Sequence, residues 1–285
     1  MVYLNEEYLR PNSLTPKYPP YHEGEYLEEY FNSQYKTIEI HSERKYIDIF
    51  WTNIFCNNIW AGKPYPNIQE LMNKTLDPNG KYFTVSQMDD GPLENFPNDT
   101  LIFSAGGNRK KGNIIPIPLV CSSIPKTIES SNHKYFASFI GSNTHPIRNS
   151  MIEAFRGKSD CLVSGKPWNI NVNQQNMNNF LNIMSMSKFS LCPRGYGTTS
   201  FRLYESLQLK TVPVYISNDH ALPWSDELDW KEFCVIIKSN QIECIYDILK
   251  SISDDEYHLM LERGKQLYND YFSLQGVFKN IIKRI

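Results

Sequence analysis

The stretch KFSLCPRGYGTTSFRLYESLQLKTVPVYIS, residues 188–217, has the pattern of a strand, a glycine-containing loop, a helix and a second strand. Pro193, Gly195 and Gly197 interrupt the chain between the first apolar run and the helix. A strand, a helix and a strand in this order predict a βαβ unit in a parallel sheet. The stretch therefore predicts an α/β fold.

The same alternation continues on both sides of this unit, over residues 134–252. Upstream lie the strand KYFASFIG, the helix PIRNSMIEAFRG, the strand DCLVSG and the helix QQNMNNFLNIMSMS, and downstream lie the strand FCVIIK and the helix QIECIYDILKSI. After Asp254 the chain is predicted to be helical, with a break near residues 273–276. This regular pattern predicts one parallel-sheet domain.

The N-terminal part is predicted to form a second domain. An irregular Tyr- and Pro-rich arm leads into the helix YLEEYFNS, the strand-like run KYIDIFWTNIF, the helix IQELMNK and the strands KYFTVSQ and DTLIFSAGG. The Pro- and Ser-rich residues 114–133 are predicted to connect the two domains. We therefore divide the chain into lobes at 1–130 and 131–265.

Composition excludes several classes of protein. The 29 Lys and Arg nearly balance 31 Asp and Glu, so no overall charge indicates a partner such as nucleic acid or an acidic membrane. The six cysteines show no C-x-x-C spacing, which disfavours a disulfide framework and a structural zinc site. No apolar stretch reaches the roughly 18 residues of a transmembrane helix, and no signal peptide is recognisable. We expect a soluble, cytoplasmic protein.

The loop and helix of the opening stretch suggest an anion site. Thr198 or Thr199 is the expected N-cap of the helix, which places Arg202 near N3, where a capping box has Glu or Gln. A cation at this position is repelled by the positive end of the helix dipole. A bound anion would interact favourably with both the arginine and the N-terminus of the helix. Glu205 shares the face of Arg202 and is suited to accept hydrogen bonds from sugar hydroxyls.

The alternative is an Arg202–Glu205 pair on the surface, with the glycines in an ordinary turn. Short motifs of this kind are common by chance. The segment has neither the third glycine of a dinucleotide-binding loop nor the G-K-[ST] of a P-loop. A bound nicotinamide or a transferred γ-phosphate is therefore not expected.

Residues 187–230 resemble the signature region of the exostosin glycosyltransferases. The shared pattern is C-x-R-G, then S-F-R-L-x-E-[AS]-L, then x-P-V-x-[IL]-S and L-P-[FW]-S, and weaker similarity covers residues 80–275. The resemblance implies the GT-B architecture, with two Rossmann-like lobes facing across a cleft. In that architecture residues 1–130 would bind the acceptor and residues 131–265 the nucleotide-sugar donor, and helices in 266–285 would return to the first lobe. It also implies inverting transfer of a sugar from a nucleotide sugar, usually a UDP-sugar, to a glycan acceptor.

By this resemblance, one group of residues falls on positions associated with the donor diphosphate and ribose. These are Arg194, Ser200, Arg202 and Glu205, with Gly195, Tyr196, Gly197, Thr198 and Thr199 forming the loop around them.

Two further loops follow strands of the same predicted sheet. In FIGSNTHPIRNSM, Gly141 and Ser142 are suited to approach the donor and Arg148 to add charge to the leaving diphosphate. The alternative there is a plain βα loop with a surface arginine. In SNDHALPWSDELDW, Asp219 and His220 follow a strand end and are candidates to contact the donor sugar. His220 is also a weaker candidate for the catalytic base.

The base that inversion requires is sought in the first lobe. Asp89 and Asp90 follow the strand KYFTVSQ, and one of them would remove the proton of the acceptor hydroxyl. Period-two geometry would direct the two side chains to opposite faces, so only one would act, and Asp90 is preferred. The competing interpretation of Asp-Asp-Gly-Pro is a turn.

No metal ion and no cofactor are expected. Glycosyltransferases of the other common fold use a D-x-D motif to hold a divalent ion, and this motif is absent from the sequence. The sequence therefore favours a metal-independent glycosyltransferase of a bacterial cell, or of host cytoplasm if the source is viral. The alternatives are a nucleotide-sugar or carbohydrate-binding protein without catalysis and a sugar-nucleotide-modifying enzyme, whose cofactor fingerprint is not found.

Overall fold

The computed structural model describes residues 7–14, 25–124, 128, 133–169, 173–219 and 222–285. The chain forms two compact units, one of Met1–Val120 with Leu274–Ile285 and one of Cys121–Ser273. Each unit contains a sheet in which the paired strands are parallel. The predicted α/β class with two parallel sheets is confirmed. The first boundary between the units falls after residue 120, whereas the sequence predicts it after residue 130.

The first unit is built on the strand order β1-β2-β3-β4. Its strands are β1 (Lys45–Tyr46), β2 (Tyr82–Ser86), β3 (Thr100–Ser104) and β4 (Asn113–Pro116), and its helices include α1 (Leu27–Tyr35), α2 (Trp51–Ala61) and α3 (Ile68–Thr75). β2 is buried along its whole length, as expected of a central parallel strand with both faces covered. A short 3₁₀ turn, Glu7–Leu9, precedes these elements.

The second unit has the strand order β6-β5-β7-β8-β9. Its strands are β5 (Tyr135–Ser142), β6 (Cys161–Lys166), β7 (Ser187–Pro193), β8 (Val212–Ile216) and β9 (Val235–Ile237), and its helices are α4 (Pro146–Ala154), α5 (Gln174–Ser185), α6 (Phe201–Gln208), α7 (Ile245–Ser251) and α8 (Asp254–Leu267). Short 3₁₀ turns at Trp230–Glu232 and Ser239–Cys244 precede β9 and α7. Every predicted strand and helix of this unit is present, with shifts at the ends.

The C-terminal helix α9 (Leu274–Ile282) belongs to the first unit. A π-helical turn at Tyr268–Phe272 ends the second unit just before it, close to the break predicted near residues 273–276. The ring of Phe278 lies 5.2 Å from that of Phe31 on α1. This contact attaches the last helix to the aromatic core of the first unit.

Two predictions for the first unit were wrong. The run KYIDIFWTNIF forms only the two-residue β1 before α2 begins at Trp51. Its buried residues at 51 and 54 have helical spacing, and Gly62, with φ 65°, ends the helix in the left-handed conformation that favours glycine. The predicted crossover also contains a strand, β4. Among the described strands it lies at the edge of the sheet beside β3, and an edge strand tolerates Pro116.

Candidate functional site

The strand order of the second unit creates a topological switch point. From β5 the chain first adds β6 on one side and then returns to place β7 on the other side of β5. In open parallel sheets ligands bind beyond the carboxyl ends of the strands at such a point. The loops that leave β5 and β7 there are residues 143–145 and 194–200, which are two of the three loops that the sequence selected in this sheet.

The β7–α6 loop is fixed by hydrogen bonds to its backbone. The amide of Gly195 donates to the carbonyl of Thr199 at 3.4 Å, and Tyr215 Oη lies 2.8 Å from the carbonyl oxygen of Thr198. Tyr215 is also 3.0 Å from the carbonyl oxygen of Asp219, in the loop after β8. One buried phenol therefore links two loops, and burial raises its pKa to about 12.

The start of α6 differs from the prediction. Its N-cap is Ser200 rather than Thr198 or Thr199, so Arg202 occupies N2 and Leu203 occupies N3. Both threonines are buried within the loop instead. The Ser200 side chain makes no capping hydrogen bond. The arginine nevertheless stands in the first turn of the helix, where the dipole is positive.

Arg202 is buried, with 9% of its surface exposed, which excludes the surface-pair alternative. Its guanidinium carbon lies 4.7 Å from the ring centroid of Phe139 and 4.5 Å from that of Phe180, and Nη2 donates to the carbonyl of Ile140 at 2.5 Å. Stacking on aromatic rings holds a guanidinium in a fixed plane. The positive charge is thereby fixed at the end of β5.

Gly141 leaves room for this close approach. A Cβ atom at that position would lie 2.8 Å from Cζ of Phe139 and 3.1 Å from Nη2 of Arg202. Ser142, the last residue of β5, accepts a hydrogen bond from Arg148 Nη1 at 2.6 Å through its carbonyl oxygen. The predicted Gly141–Ser142 pair thus contacts both arginines.

Arg148, on α4, connects the two loops of the switch point. Its Nε donates to the carbonyl of Arg194 at 2.9 Å and its Nη2 to that of Pro193 at 3.2 Å, in addition to the bond to Ser142. It is 9% exposed, so the surface-arginine alternative is wrong. Three backbone carbonyls share its donors, which indicates that Arg148 organises the loops besides contributing charge.

Arg194 follows β7 directly and interacts with a third loop. Its Nη1 forms an ion pair with the carboxylate of Asp219, and its Nη2 donates to the carbonyl of Tyr196 at 3.1 Å. Tyr196 is 61% exposed, whereas the neighbouring Gly197 is buried. The loop therefore presents one aromatic ring to solvent. His220, which follows Asp219, lies outside the described residues.

Glu205 is 1% exposed and contributes to a buried polar cluster behind α6. Burial raises the pKa of the Cys121 thiol, and the Glu205 carboxylate raises it further. The pKa of Tyr268 is likewise raised by burial and, to a smaller extent, by Cys121 and Glu205. Gln208 donates to the carbonyl of Ser122 at 3.0 Å in the same region. Glu205 thus lies on the buried side of the helix that carries Arg202.

Sequence reasoning missed four side chains of this site. Phe139 and Phe180 flank Arg202, and Tyr215 links the loops, but apolar residues in predicted strands and helices give no functional signal. His145 is the N-cap of α4, and its Nδ1 accepts a hydrogen bond from the amide of Ile147 at 3.2 Å. The sequence offered a signal there, since a polar residue directly before a proline often starts a helix.

The candidate base residues lie in the first unit. β2 ends at Ser86, so Asp89 and Asp90 are not on the strand, and the period-two argument does not apply to them. The amide of Gly91 donates to the carbonyl of Met88 at 3.1 Å, and Gly91 has φ 64°, so the Asp-Asp-Gly segment is a turn. Both carboxylates are half-buried.

The segment that follows β3 holds this turn in place. Asn108 Nδ2 donates to Oδ1 of Asp90 at 3.0 Å. The backbone of Gly106 passes so close to that of Asp89 that an added Cβ atom would lie 2.0 Å from its Cα. The turn therefore carries two carboxylates at a defined place after β2.

Across the residues for which the structure gives positions, no group of three His, Cys, Asp or Glu side chains is arranged to hold a metal ion. None of the helices within the same residues has the length and hydropathy of a membrane span.

Comparison with known proteins identifies relatives. Residues 65–252 match the family model of the exostosin GT47 domain. Exostosin-1 of Drosophila melanogaster is 26% identical over 235 residues, which cover 68% of this chain and 30% of that protein. A probable glycosyltransferase of Arabidopsis thaliana is 29% identical over 136 residues, which cover 47% of this chain and 27% of the relative. The chain thus spans under a third of the length of these relatives.

Among solved structures, a glycosyltransferase from Rickettsia africae is similar with a TM-score of 0.45 and 12% identity, over 96% of this chain and 83% of that one. An α1,3-fucosyltransferase has a TM-score of 0.43 and 16% identity, over 78% and 77% of the two chains.

Proposed function

Because the matching domain covers residues 65–252, the chain belongs to the exostosin GT47 family, and we propose that it is a glycosyltransferase. In this proposal it transfers a sugar from a nucleoside diphosphate, in the first instance UDP, to a hydroxyl group of a glycan acceptor. The anomeric carbon is inverted, and no metal ion is required. A nucleotide-sugar donor and a glycan acceptor are the expected partners.

One observation carries the donor part of this proposal: three arginines converge on the switch point of the second sheet. Arg202 lies in the first turn of α6, Arg194 begins the β7–α6 loop, and Arg148 donates a hydrogen bond to the carbonyl of Arg194. A diphosphate bound there would interact with guanidinium groups and with the N-terminus of α6. These interactions would stabilise the charge that develops on the leaving group.

Other residues of the site have proposed roles around this diphosphate. The exposed ring of Tyr196 is suited to stack on the nucleoside or a sugar. The Asp219 carboxylate, next to Arg194, is suited to accept hydrogen bonds from the donor sugar. Glu205 is proposed to bind the ribose, which requires its buried carboxylate to become accessible when the donor binds.

The proposed reaction is a direct displacement at the anomeric carbon. The acceptor oxygen forms the new bond to that carbon while the bond to the diphosphate oxygen breaks, and the diphosphate leaves with the electron pair. A carboxylate of the β2 turn, Asp90 or Asp89, takes the proton of the acceptor hydroxyl. The arginines stabilise the negative charge of the leaving diphosphate, as a metal ion does in other glycosyltransferases.

Titration calorimetry with UDP, GDP and ADP tests the donor site. We expect UDP to bind the wild type, and Arg202→Ala to weaken binding about tenfold or more, since a hydrogen bond to a charged group contributes about 1.5–3 kcal/mol. Affinity that does not change in Arg202→Ala would contradict the site. If every nucleoside diphosphate fails to bind the wild type, the proposed function is wrong.

Turnover and the base are tested separately. A screen of UDP-sugars with glycan acceptors in the presence of EDTA should release UDP, and NMR of the product should show inversion of the anomeric centre. Asp90→Asn should lose transfer while it keeps UDP affinity. Donor binding without any turnover would instead support the alternative function, a nucleotide-sugar-binding protein.

A further inference from the structure

His145 is held at the start of α4 in one tautomer. It is the N-cap residue, with φ −153° and ψ 143°, and Pro146 follows it at N1. Its Nδ1 accepts a hydrogen bond from the backbone amide of Ile147 at 3.2 Å. A nitrogen that accepts this bond carries no hydrogen, so the neutral ring carries its hydrogen on Nε2.

The surroundings of the ring keep it neutral. Burial lowers the pKa of His145, and the positive charges of Arg194 and Arg148 lower it further, while Asp219 acts in the opposite direction. These charged groups come from the β7–α6 loop, from α4 itself and from the loop after β8. Protonation would also place a hydrogen on Nδ1 against the amide of Ile147 and break the cap.

The Nε2 hydrogen is available to a ligand. Within the described part of the chain, Nε2 of His145 has no hydrogen-bond partner, and the ring is half-buried. One turn further along α4, Arg148 donates to the carbonyls of Ser142 and Arg194, which fixes the first turn of the helix against the β7–α6 loop. The imidazole therefore belongs to the same switch point as the arginines.

We propose that His145 is a further donor-binding residue, which gives a neutral hydrogen bond from Nε2 to an oxygen of the diphosphate. This inference rests on the proposed function. The proton stays on the nitrogen throughout, so His145 neither protonates the leaving group nor removes a proton from the acceptor. Nδ1 accepts the capping hydrogen bond while Nε2 donates to the ligand, so the two contacts can form at the same time.

The substitution His145→Asn separates these two uses. Asparagine is a strong N-cap residue and can still accept from the amide of Ile147, but its amide nitrogen ends short of the position of Nε2. We expect His145→Asn to keep the melting temperature of the wild type. Its Kd for UDP should be about tenfold or more higher than that of the wild type. The affinity of the variant for inorganic pyrophosphate should fall by a similar factor, because the proposed contact is to a phosphate oxygen.

Two controls accompany this variant. His258→Asn makes the same chemical change at an exposed position of α8 and should bind UDP as the wild type does. His145→Ser keeps a capping side chain of different size, and it is measured should the Asn variant prove less stable than the wild type. Both capped variants should show the same loss of affinity.

The protonation state is tested by calorimetry at pH 7 in two buffers of different ionisation enthalpy. A neutral donor predicts that the wild type and His145→Asn take up the same number of protons when UDP binds. Proton uptake by the wild type alone would show an imidazolium contact and overturn the proposal. Equal UDP affinity of the wild type and His145→Asn would also overturn it, while the donor site would stand. If the wild type binds neither pyrophosphate nor any of UDP, GDP and ADP, both proposals are wrong.

Discussion

Arg148 donates from Nε to the backbone carbonyl of Arg194 at 2.9 Å, so one arginine of the candidate site positions another. The same guanidinium contacts the carbonyls of Pro193 and Ser142, which belong to the strands on either side of the switch point. Its planar fork suits three acceptors in different directions, which an ammonium group on a flexible chain matches poorly. Arg148 is therefore expected to affect both the loop geometry and donor binding.

The variant Arg148→Lys tests this dual role. The charge remains, but at least one buried carbonyl loses its partner, so the unfolding free energy should fall by about 1–3 kcal/mol. The affinity for UDP should fall as well, since Arg194 is no longer held. Thermal unfolding and titration calorimetry measure the two effects. Arg156→Lys, just beyond the same helix in an exposed pair with Glu153, is the control and should leave both unchanged.

Phe180 provides a second prediction, since its ring and that of Phe139 flank the guanidinium of Arg202. Phe180→Leu removes one of the two stacking faces, which contributes about 0.5–2 kcal/mol. The Kd for UDP should rise severalfold, as the guanidinium is held less firmly. Met177→Leu conserves volume on the same helix and should have little effect. Equal Kd values for both variants would contradict a role for the stacking.

The sequence predicts the second sheet well because its strands are buried and apolar and are separated by loops with glycine or proline. The loops 143–145 and 194–200 could also be located, since strand ends in a parallel sheet carry ligand sites. The partners of Arg202 could not be predicted. Phe139 lies on a strand and Phe180 on a helix, and only the packing of α5 beside β5 brings their rings to one side chain.

The first unit was harder to predict for a related reason. The aromatic and β-branched residues of KYIDIFWTNIF favour a strand by propensity, but α2 forms instead, and its polar side chains make hydrogen bonds to distant parts of the unit. Thr52 donates to Glu28 at 2.6 Å, and Asn53 donates to the carbonyl of Pro11 at 2.7 Å. Contacts over such separations in the chain leave no pattern within a short window of sequence.

The Arg194–Asp219 ion pair gives a prediction that separates two ligands. In Asp219→Asn the carboxylate no longer competes with the diphosphate for Arg194, so UDP should bind at least as tightly as in the wild type. A UDP-sugar should bind less tightly, because the proposed acceptor for its hydroxyl groups loses its charge. Calorimetric titration with both ligands makes the comparison. Parallel weakening of UDP and the UDP-sugar would show instead that Asp219 acts on the loop structure.

Glu28, in the first unit, predicts a pH dependence of stability. Its Oε1 accepts hydrogen bonds from the side chain of Thr52 at 2.6 Å and from the amide of Gln87 at 3.1 Å, while the buried Oε2 has no hydrogen-bond partner among the described residues. Burial raises the pKa of this carboxyl above its ordinary value of 4.5. The folded state thus holds the proton over a range where the unfolded state releases it. The stabilisation is complete below about pH 4.5 and is lost as pH rises through the folded-state pKa.

Glu28→Gln should therefore flatten this part of the pH profile. The amide oxygen keeps the acceptor role of Oε1, and no buried charge forms as pH rises from 5 to 8. The variant should lose less free energy of unfolding over this range than the wild type. Thermal or urea unfolding at both pH values measures the difference. Glu39→Gln, at an exposed position, controls for the change in net charge. Identical pH slopes for wild type and Glu28→Gln would mean that Glu28 remains ionised in the folded protein across this range.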